Sequence, residues 1–356
     1  MPEDAAPSTA RSRVDGAEVV FVHPDPDREL SGVRLWQDLG IPGIDLAFAP
    51  VPAGWELRLP RPSVHRIEYL FEVRDANGDT GRLPDPGNPL VVPGPFGEHS
   101  VLTLPGYTAP AWLDAPVVDS RTEQMTVADT TLGSLELLVW SPADAEPEES
   151  LPLLVAHDGP ELTEYAALDT YVGALIANGA VPRMRLALVG PGERNVWYAA
   201  DLDYAAALVH RVLPAVRAAF ACGPDVVLAG ASLGGLAALH AEWSHPGTFA
   251  GLFCQSGSFF TQETDPQESE FSGFAAVSAF VRRVHGAKTP PSTPHVGLTC
   301  GSAEENVHNN WVLAAQLDAL GVEVSFAESP DAHNFTAWRD VLDPQLTTLL
   351  QRVWNG

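Results

Sequence analysis

The chain has 356 residues, a length that suits two domains, and 45% of them are hydrophobic, so a sizeable core is expected and global disorder is excluded. Acidic residues outnumber basic ones 46 to 20, which gives a net charge of −26. This balance argues against nucleic acid and anionic membrane surfaces as partners, because phosphate recognition requires a basic surface.

The first segment, residues 1–16, is polar and acidic, and we expect it to be disordered. It lacks the apolar region of a secretory signal, and no run of residues approaches the length of a membrane span. These features predict a cytoplasmic protein without membrane association. The three cysteines, Cys222, Cys254 and Cys300, show no metal-ligand spacing, so neither a metal nor another cofactor is expected.

Residues 17–115 are predicted to form a β-sandwich of immunoglobulin-like type. Short alternating segments, separated by Pro, Gly and Asp, lie at residues 18–22, 55–59, 67–73 and 101–104. The dipeptide Asn77-Gly78 directly after the third segment is typical of a β-hairpin turn. A proline-rich connection follows, and then two further strands near residues 124–128 and 134–140.

Residues 116–356 alternate strands and helices, which predicts a mostly parallel sheet with helices on both faces, as in an α/β hydrolase. Helical patterns lie between the apolar strands, notably at residues 204–220 and 307–320. The polar segment 259–273 fits neither element and is interpreted equally well as a lid or as a solvated insertion. The predicted strands are 153–156, 186–189, 226–229, 251–255, 296–300 and 322–327.

The most informative motif is Gly-Ala-Ser-Leu-Gly at residues 230–234, which lies between a predicted strand and a predicted helix. G-x-S-x-G in this context is typical of a nucleophile elbow, in which the glycines permit a tight turn that exposes the serine hydroxyl. Ser232 is therefore the candidate nucleophile, and the N–H of Leu233 is a candidate oxyanion donor. The alternative is an ordinary turn with a capping serine.

A serine nucleophile needs a histidine base, and in hydrolases of this type the acid and then the histidine follow the serine along the chain. His333 follows the last predicted strand and precedes the final helix, so it is the candidate base. The acid is expected after the preceding strand, where Glu304 and Glu305 compete and Glu304 is preferred. Asp331 remains a weaker alternative beside His333.

Two further segments are expected on the same edge of the sheet. After the first strand of this domain, Gly159 or Glu161 would supply the second oxyanion N–H, because Pro160 has none. The second segment, residues 190–198, lacks the third glycine of a dinucleotide-binding loop, and no helix is predicted to start there. Its Arg194, Trp197 and Tyr198 would bind an anionic or aromatic substrate, or else the segment is simply anchored by a buried tryptophan.

Over most of its length the chain resembles the enterochelin esterase family, which hydrolyses the trilactone of catecholate siderophores. The resemblance rests on the apolar run ending in Asp158-Gly159, the elbow, Glu304, and a His-x-aromatic-x-x-Trp-Arg segment at residues 333–339. It implies substrate-binding roles for Asp158, Phe335 and Trp338, and an early-set, immunoglobulin-like N-terminal domain. Asp331 and Ala332 stand where the family has Gly-Gly.

The motifs therefore predict a serine esterase that takes a small-molecule ester. The resemblance implies that the leading substrate is the trilactone of a catecholate siderophore of enterobactin type, iron-loaded or not. Esterases of feruloylated or acetylated polysaccharides are the alternative, and the missing secretory signal counts against them. A non-catalytic binding protein on the same scaffold is the third hypothesis. The oligomeric state is left open.

Overall fold

A computed structural model describes residues 11–39 and 44–355, and the chain divides into two compact units. The first unit is built from residues up to Thr108 together with Ser302–Glu304 and Pro330–Asn334. The second contains Ala109–Gly301, Glu305–Ser329 and the chain from Phe335 onward. The division falls seven residues before the predicted boundary, since Trp112, in a 3₁₀ helix at Ala111–Asp114, is buried in a core cluster of the second unit.

The first unit contains two antiparallel sheets, in the orders β1-β2-β5-β4 and β3-β6-β9-β8, with β7 paired to β6. Part of the predicted disordered tail, residues 1–10, lies outside the described residues, but Arg13–Asp15 form a strand, which corrects that part of the prediction. The Asn77-Gly78 turn joins β6 to β7, as its sequence predicts. The strands are β1 (Arg13–Asp15), β2 (Glu18–Pro24), β3 (Leu30–Gln37), β4 (Ala49–Val51), β5 (Gly54–Pro60), β6 (Arg66–Asp75), β7 (Thr80–Leu83), β8 (Val91–Val92) and β9 (His99–Thr103).

One hydrophobic cluster forms the core of the first unit. Alternate residues of β2, such as Val19 and Phe21, and of β6, such as Tyr69 and Phe71, belong to this cluster. The rings of Phe21 and Tyr69 meet edge to face with centroids 4.8 Å apart. Both sheets therefore bury one face in a shared core, as the alternating pattern of the sequence predicts.

The second unit contains an eight-stranded sheet in the order β10-β11-β13-β12-β14-β15-β16-β17. Strands β10, β11 and β13 pair antiparallel, and all pairs from β13 to β17 are parallel. The predicted mostly parallel sheet is thus confirmed. Its strands are β10 (Ser120–Asp129), β11 (Gly133–Pro142), β12 (Leu151–His157), β13 (Arg185–Val189), β14 (Cys222–Ala231), β15 (Gly251–Gln255), β16 (His295–Gly301) and β17 (Val324–Ser329).

Helices cover both faces of this sheet. Along β12, Leu153 and Val155 belong to one core cluster, whereas Leu154 and Ala156 belong to another, so the strand is buried on its two sides. A π-helical turn at Leu208–Val212 joins two of the helices. The helices are α1 (Gly159–Ala166), α2 (Leu168–Ala177), α3 (Arg194–Trp197), α4 (Leu202–Ala207), α5 (Leu213–Ala219), α6 (Leu233–Ser244), α7 (Phe274–Gly286), α8 (Val307–Ala319), α9 (Phe335–Asp340) and α10 (Leu342–Trp354).

The segment after β15, residues 259–273, is neither a free lid nor a fully solvated insertion. Phe259 and Phe260 are buried, and the Phe260 ring stacks on Phe274 at 5.5 Å. Asp265, also buried, accepts a hydrogen bond from the Asn309 amide at 2.9 Å. Hydrophobic burial and this polar contact anchor the first part of the segment, and the following residues form a 3₁₀ helix at Pro266–Glu270.

Candidate active site

Ser232 lies in a sharp turn between β14 and α6, as a nucleophile elbow requires. Its φ of 57° and ψ of −124° belong to a region that residues other than glycine rarely adopt. The backbone is held on both sides, because the Ser232 N–H donates to the Gln255 carbonyl at 2.8 Å and the Ser232 carbonyl accepts from Ser258 at 3.2 Å. These two hydrogen bonds hold the strained backbone conformation at Ser232, the candidate nucleophile.

The first glycine of the motif is required by a close approach of the backbone, and the second lies in tight contact with two side chains. A Cβ on Gly230 would lie 2.4 Å from the carbonyl of Gly234, so no side chain fits there. A Cβ on Gly234 would lie 3.2 Å from the Cβ of His157 and 3.3 Å from a carboxylate oxygen of Asp158. The elbow therefore packs directly against the end of β12.

His157 joins these two segments, a role that the sequence analysis did not find. Its Nδ1 lies 3.0 Å from the Gly234 carbonyl oxygen, which can only accept, so Nδ1 carries the proton. Complete burial lowers the pKa of His157 to about 4, and the ring is neutral at pH 7. Its position directly before Asp158-Gly159 at a strand end was the available signal.

The candidate oxyanion donors lie in the first turns of two helices. Leu233 begins α6, and Gly159 begins α1, where Pro160 follows and Glu161 completes the turn. The first N–H groups of a helix have no partner within it and favour negative charge. Gly159 is also required sterically, since a Cβ there would lie 2.3 Å from the Cα of Leu188. The choice between Gly159 and Glu161 stays a prediction.

Asp158 and Arg194, two predicted substrate-binding residues, bind each other. The Arg194 Nε lies 3.0 Å from both carboxylate oxygens of Asp158, and its Nη2 lies 2.9 Å from Oδ2. The Asp158 side chain is 8% exposed and that of Arg194 is 33% exposed. The arginine beside the elbow is therefore already neutralised by a buried carboxylate.

The aromatic residues after Arg194 are buried, which corrects their prediction as substrate-binding groups. Tyr198 is completely buried, and its hydroxyl accepts a hydrogen bond from the Asp158 N–H at 3.2 Å. Trp197 stacks on Tyr204 with ring centroids 5.7 Å apart. The segment is anchored by these rings, and contrary to the prediction a short helix, α3, starts at Arg194.

Phe335 and Trp338 lie on α9, and they differ in exposure. The Trp338 indole N–H donates to the Ser256 hydroxyl at 3.0 Å, and its ring is buried, so it fixes the turn after β15. Phe335 is half-buried and meets Tyr165 edge to face at 5.2 Å. Of the two, only Phe335 presents a partly exposed ring to a substrate.

Glu304 and His333 form a hydrogen-bonded pair in the first unit. The His333 Nδ1 lies 2.8 Å from Oε2 of Glu304, whose side chain is 1% exposed, whereas the neighbouring Glu305 is exposed. A carboxylate only accepts, so Nδ1 carries the proton and Nε2 is the basic nitrogen. The two residues follow β16 and β17, as the sequence predicts for an acid and a base.

Asp38, a second carboxyl group of the first unit, lies close to this pair. Its Oδ2 accepts a hydrogen bond from the Asn334 amide at 3.2 Å. Burial, together with repulsion by Glu68, raises the pKa of Asp38 to about 6. In the unfolded chain the same carboxyl has a pKa of about 4.

Ionisation of Asp38 therefore opposes folding, with a cost that appears as the pH rises from about 4 and is complete above about 6. We expect Asp38→Asn to stabilise the protein by about 1–3 kcal/mol at pH 8, because the neutral amide still accepts from Asn334. The gain should disappear below about pH 4. Urea unfolding at both pH values measures it, and Asp45→Asn, at an exposed carboxylate, serves as the control. A pH-independent difference would contradict the assignment.

No group of three or more His, Cys, Asp or Glu side chains in residues 11–39 and 44–355 is arranged to hold a metal ion. In the same part of the chain, no helix combines the length and the apolar character that crossing a bilayer requires.

Comparison with known proteins connects this geometry to a family. The Esterase family model, described as "Putative esterase", matches residues 130–349, which is more than half of the chain. No curated protein matches the sequence.

Solved structures share the fold at low sequence identity. The ferric enterobactin esterase of Salmonella typhimurium superposes with a TM-score of 0.79 at 22% identity and covers 98% of each chain. The enterobactin esterase of Shigella flexneri, solved in the presence of enterobactin, gives 0.76 at 20% identity over 96% of this chain and 95% of that one. A ferulic acid esterase gives 0.57 at 17% identity and covers 67% of this chain and 100% of its own.

The likeness to the enterobactin esterases extends over both units, and the family model covers the parallel part of the sheet, the elbow after β14, and the segments that follow β16 and β17. The fold is thus an α/β-hydrolase type with a mixed sheet. Because the family model matches more than half of its residues, the chain belongs to the esterase family.

Proposed function

We propose that the protein is a serine esterase with Ser232 as nucleophile, His333 as general base and Glu304 as the acid that orients the base. The observation that carries the proposal is the elbow itself: Ser232 holds a strained φ of 57° at the start of α6. The hydrogen bond between Glu304 and His333 supports the other two roles. Membership of the esterase family supports the reaction type.

In the acylation step, Nε2 of His333 takes the proton of the Ser232 hydroxyl as its oxygen attacks the ester carbonyl carbon. The negative charge on the carbonyl oxygen is stabilised by the N–H of Leu233 and by one N–H in the first turn of α1. When the C–O bond breaks, the leaving alcohol receives the proton from His333. Glu304 stabilises the imidazolium that exists between these two transfers.

In the deacylation step, His333 takes a proton from water, and the resulting hydroxide attacks the acyl-enzyme carbonyl. The same two N–H groups stabilise the oxyanion. The C–O bond to Ser232 breaks, the serine regains its proton from His333, and the carboxylic acid leaves. No cofactor is required in this scheme.

For the substrate we favour the trilactone of a catecholate siderophore. The enterobactin esterases share this chain's fold over both units, whereas the ferulic acid esterase corresponds to 67% of it. A feruloyl or acetyl ester of a carbohydrate is the second candidate, since that likeness covers the catalytic fold. A silent binding protein is a third, and an intact set of Ser232, His333 and Glu304 argues against it.

The substrate proposal is tested by comparing an enterobactin-type trilactone with methyl ferulate and p-nitrophenyl acetate. We expect kcat/KM for the trilactone to exceed that for methyl ferulate by at least about 100-fold. An active site that has evolved for the trilactone contacts all parts of that substrate, and methyl ferulate lacks most of these contacts. Chromatography of the released acids measures both rates. Preference for methyl ferulate would favour the carbohydrate esterase. Absence of hydrolysis, together with no labelling by a fluorophosphonate, would favour the binding protein.

We assign the first unit to the early-set, immunoglobulin-like type. Its two antiparallel sheets around one core support this assignment.

We place the protein in the cytoplasm. Its three cysteines are free, a state that suits a reducing compartment. Its partner is a small-molecule ester. We expect neither nucleic acid nor a membrane as partner, given the net charge of −26.

A further inference from the structure

Asp331, two residues before His333, carries a buried charge that is fully paired. Its Oδ2 lies 2.5 Å from Nη2 of Arg66, and its Oδ1 accepts from the Ala332 N–H at 2.9 Å. The side chains of Asp331 and Arg66 are 1% and 2% exposed. Breaking a buried ion pair from one side is strongly destabilising, so each of these groups constrains the other. Asp331 is therefore committed to Arg66 and does not serve as the acid for His333.

Other contacts hold the same segment, Pro330–Asn334, on both sides of His333. The His65 N–H donates to the Pro330 carbonyl at 2.6 Å, and the Asn334 amide donates to Asp38 at 3.2 Å. The N–H of Ala303, next to Glu304, donates to the Asp331 carbonyl at 3.1 Å. The residues before and after His333, and the residue before Glu304, thus belong to one hydrogen-bonded network.

Arg66 is mounted on a rigid element. It begins β6, which pairs with β3, β7 and β9 and places Ile67, Tyr69 and Phe71 in the core of the first unit. Its guanidinium lies 5.3 Å from the centre of the Tyr107 ring. Its Nε lies 3.7 Å from Oε1 of Glu68, so the cation faces two carboxylates. A planar guanidinium fixed in this way defines one position for the Asp331 carboxylate.

From this network we infer that Arg66 is a positioning residue for the esterase reaction: through Asp331 it holds the His333 ring in the orientation in which Nδ1 meets Glu304. The inference rests on the proposed function, since it needs His333 to be the base. It gives Arg66, a residue of the first unit, a role in the proposed reaction. A misplacement of about 1 Å at a catalytic group costs about 100-fold in rate.

The test measures p-nitrophenyl ester hydrolysis and thermal unfolding for Arg66→Met, Arg66→Lys and the double variant Arg66→Met/Asp331→Asn. We expect kcat for Arg66→Met to fall by about 100-fold with KM nearly unchanged. Arg66→Lys keeps the charge and should restore part of the rate. The double variant removes the charge that Arg66→Met would leave unpaired on Asp331 and keeps an acceptor for Ala332, whereas Glu68 still loses its arginine. It should therefore regain part of the melting temperature but not kcat.

The pH profile separates positioning from stability. In the double variant, the acid-side midpoint of kcat/KM should move to lower pH, because a displaced imidazolium is stabilised less by Glu304. Arg82→Met, at an exposed arginine on β7 of the same sheet, is the matched control and should change neither kcat nor the profile. If Arg66→Met does not fold, the comparison uses Arg66→Lys and the double variant.

A double variant with wild-type kcat and an unmoved pH profile would overturn the inference, since Arg66 would then only neutralise a charge. Failure of the proposed function looks different. In that case the wild-type protein itself would hydrolyse no ester and take up no fluorophosphonate, and the inference would fall with it.

Discussion

Replacing Ser232 with alanine is expected to lower kcat/KM for ester hydrolysis by at least about 10⁴-fold, because no other group can form the acyl-enzyme. Stability should change little, since alanine removes only the hydroxyl of a partly exposed side chain. Hydrolysis of p-nitrophenyl acetate measures the rate, and a fluorophosphonate followed by mass spectrometry identifies the labelled residue. The label should be found on Ser232 and be absent from the variant.

Ser244→Ala is the matched control for this substitution. Ser244 ends α6, the helix that Ser232 precedes, and its hydroxyl lies 3.2 Å from Nε2 of His240. It should keep both the rate and the label. A folded Ser232→Ala protein that hydrolyses the ester at the wild-type rate would show that the nucleophile lies elsewhere.

The second large effect is expected for Glu304→Gln, which should lower kcat by about 10³–10⁴-fold. A carboxylate accepts from Nδ1 of His333, whereas the amide nitrogen of glutamine donates and favours the tautomer with the proton on Nε2. In that tautomer the histidine cannot take the serine proton. The rate is measured on the same aryl ester, with circular dichroism and thermal unfolding to show that the variant is folded.

Glu305→Gln provides the control at the adjacent position. Glu305 is exposed, whereas Glu304 is buried and hydrogen-bonded to His333. We expect the Glu305 variant to keep its activity to within about twofold, because solvent screens the effect of an exposed charge on the active site. Loss of activity in Glu305→Gln with an active Glu304→Gln would reverse the assignment of the acid.

The elbow could be predicted because its requirements are local. A strand, a tight turn and a helix are all recognisable within about twenty residues of sequence. A backbone contact explains Gly230, and close contacts with the side chains of His157 and Asp158 favour a glycine at position 234. The parallel strands could be predicted for a similar reason, since burial on both faces demands continuous apolar runs. The least accurate bounds are those of β14, which extends over Cys222–Ala231 where residues 226–229 were predicted; the final strand begins at Val324 where residue 322 was predicted.

The sequence favoured Glu304 as the acid but did not exclude Glu305, because adjacent residues share most local signals. Burial of Glu304 and its 2.8 Å contact with His333 distinguish them. The location of Trp197 and Tyr198 could not be decided from the sequence either. Their sequence was compatible with a substrate-binding surface and with a loop anchored by a buried tryptophan, and the structure buries both rings in the core.

The partners of buried charges were equally inaccessible to the sequence. Asp331 binds Arg66, which lies 265 residues away in the chain, and Arg194 binds Asp158. The residues around Asp331 in the sequence do not indicate that Arg66 is its partner, because electrostatic pairing depends on distance in space rather than on spacing in the chain.

By itself, the sequence determined the reaction class and which strands are followed by the candidate nucleophile, acid and base. It could do so because turn stereochemistry and hydrophobic periodicity act over a few residues. Tertiary structure alone decided which polar groups are paired, which aromatic residues are buried and which residues hold the segment around His333. Those outcomes depend on desolvation and on contacts between distant parts of the chain, and a buried charge is retained only where folding supplies its partner.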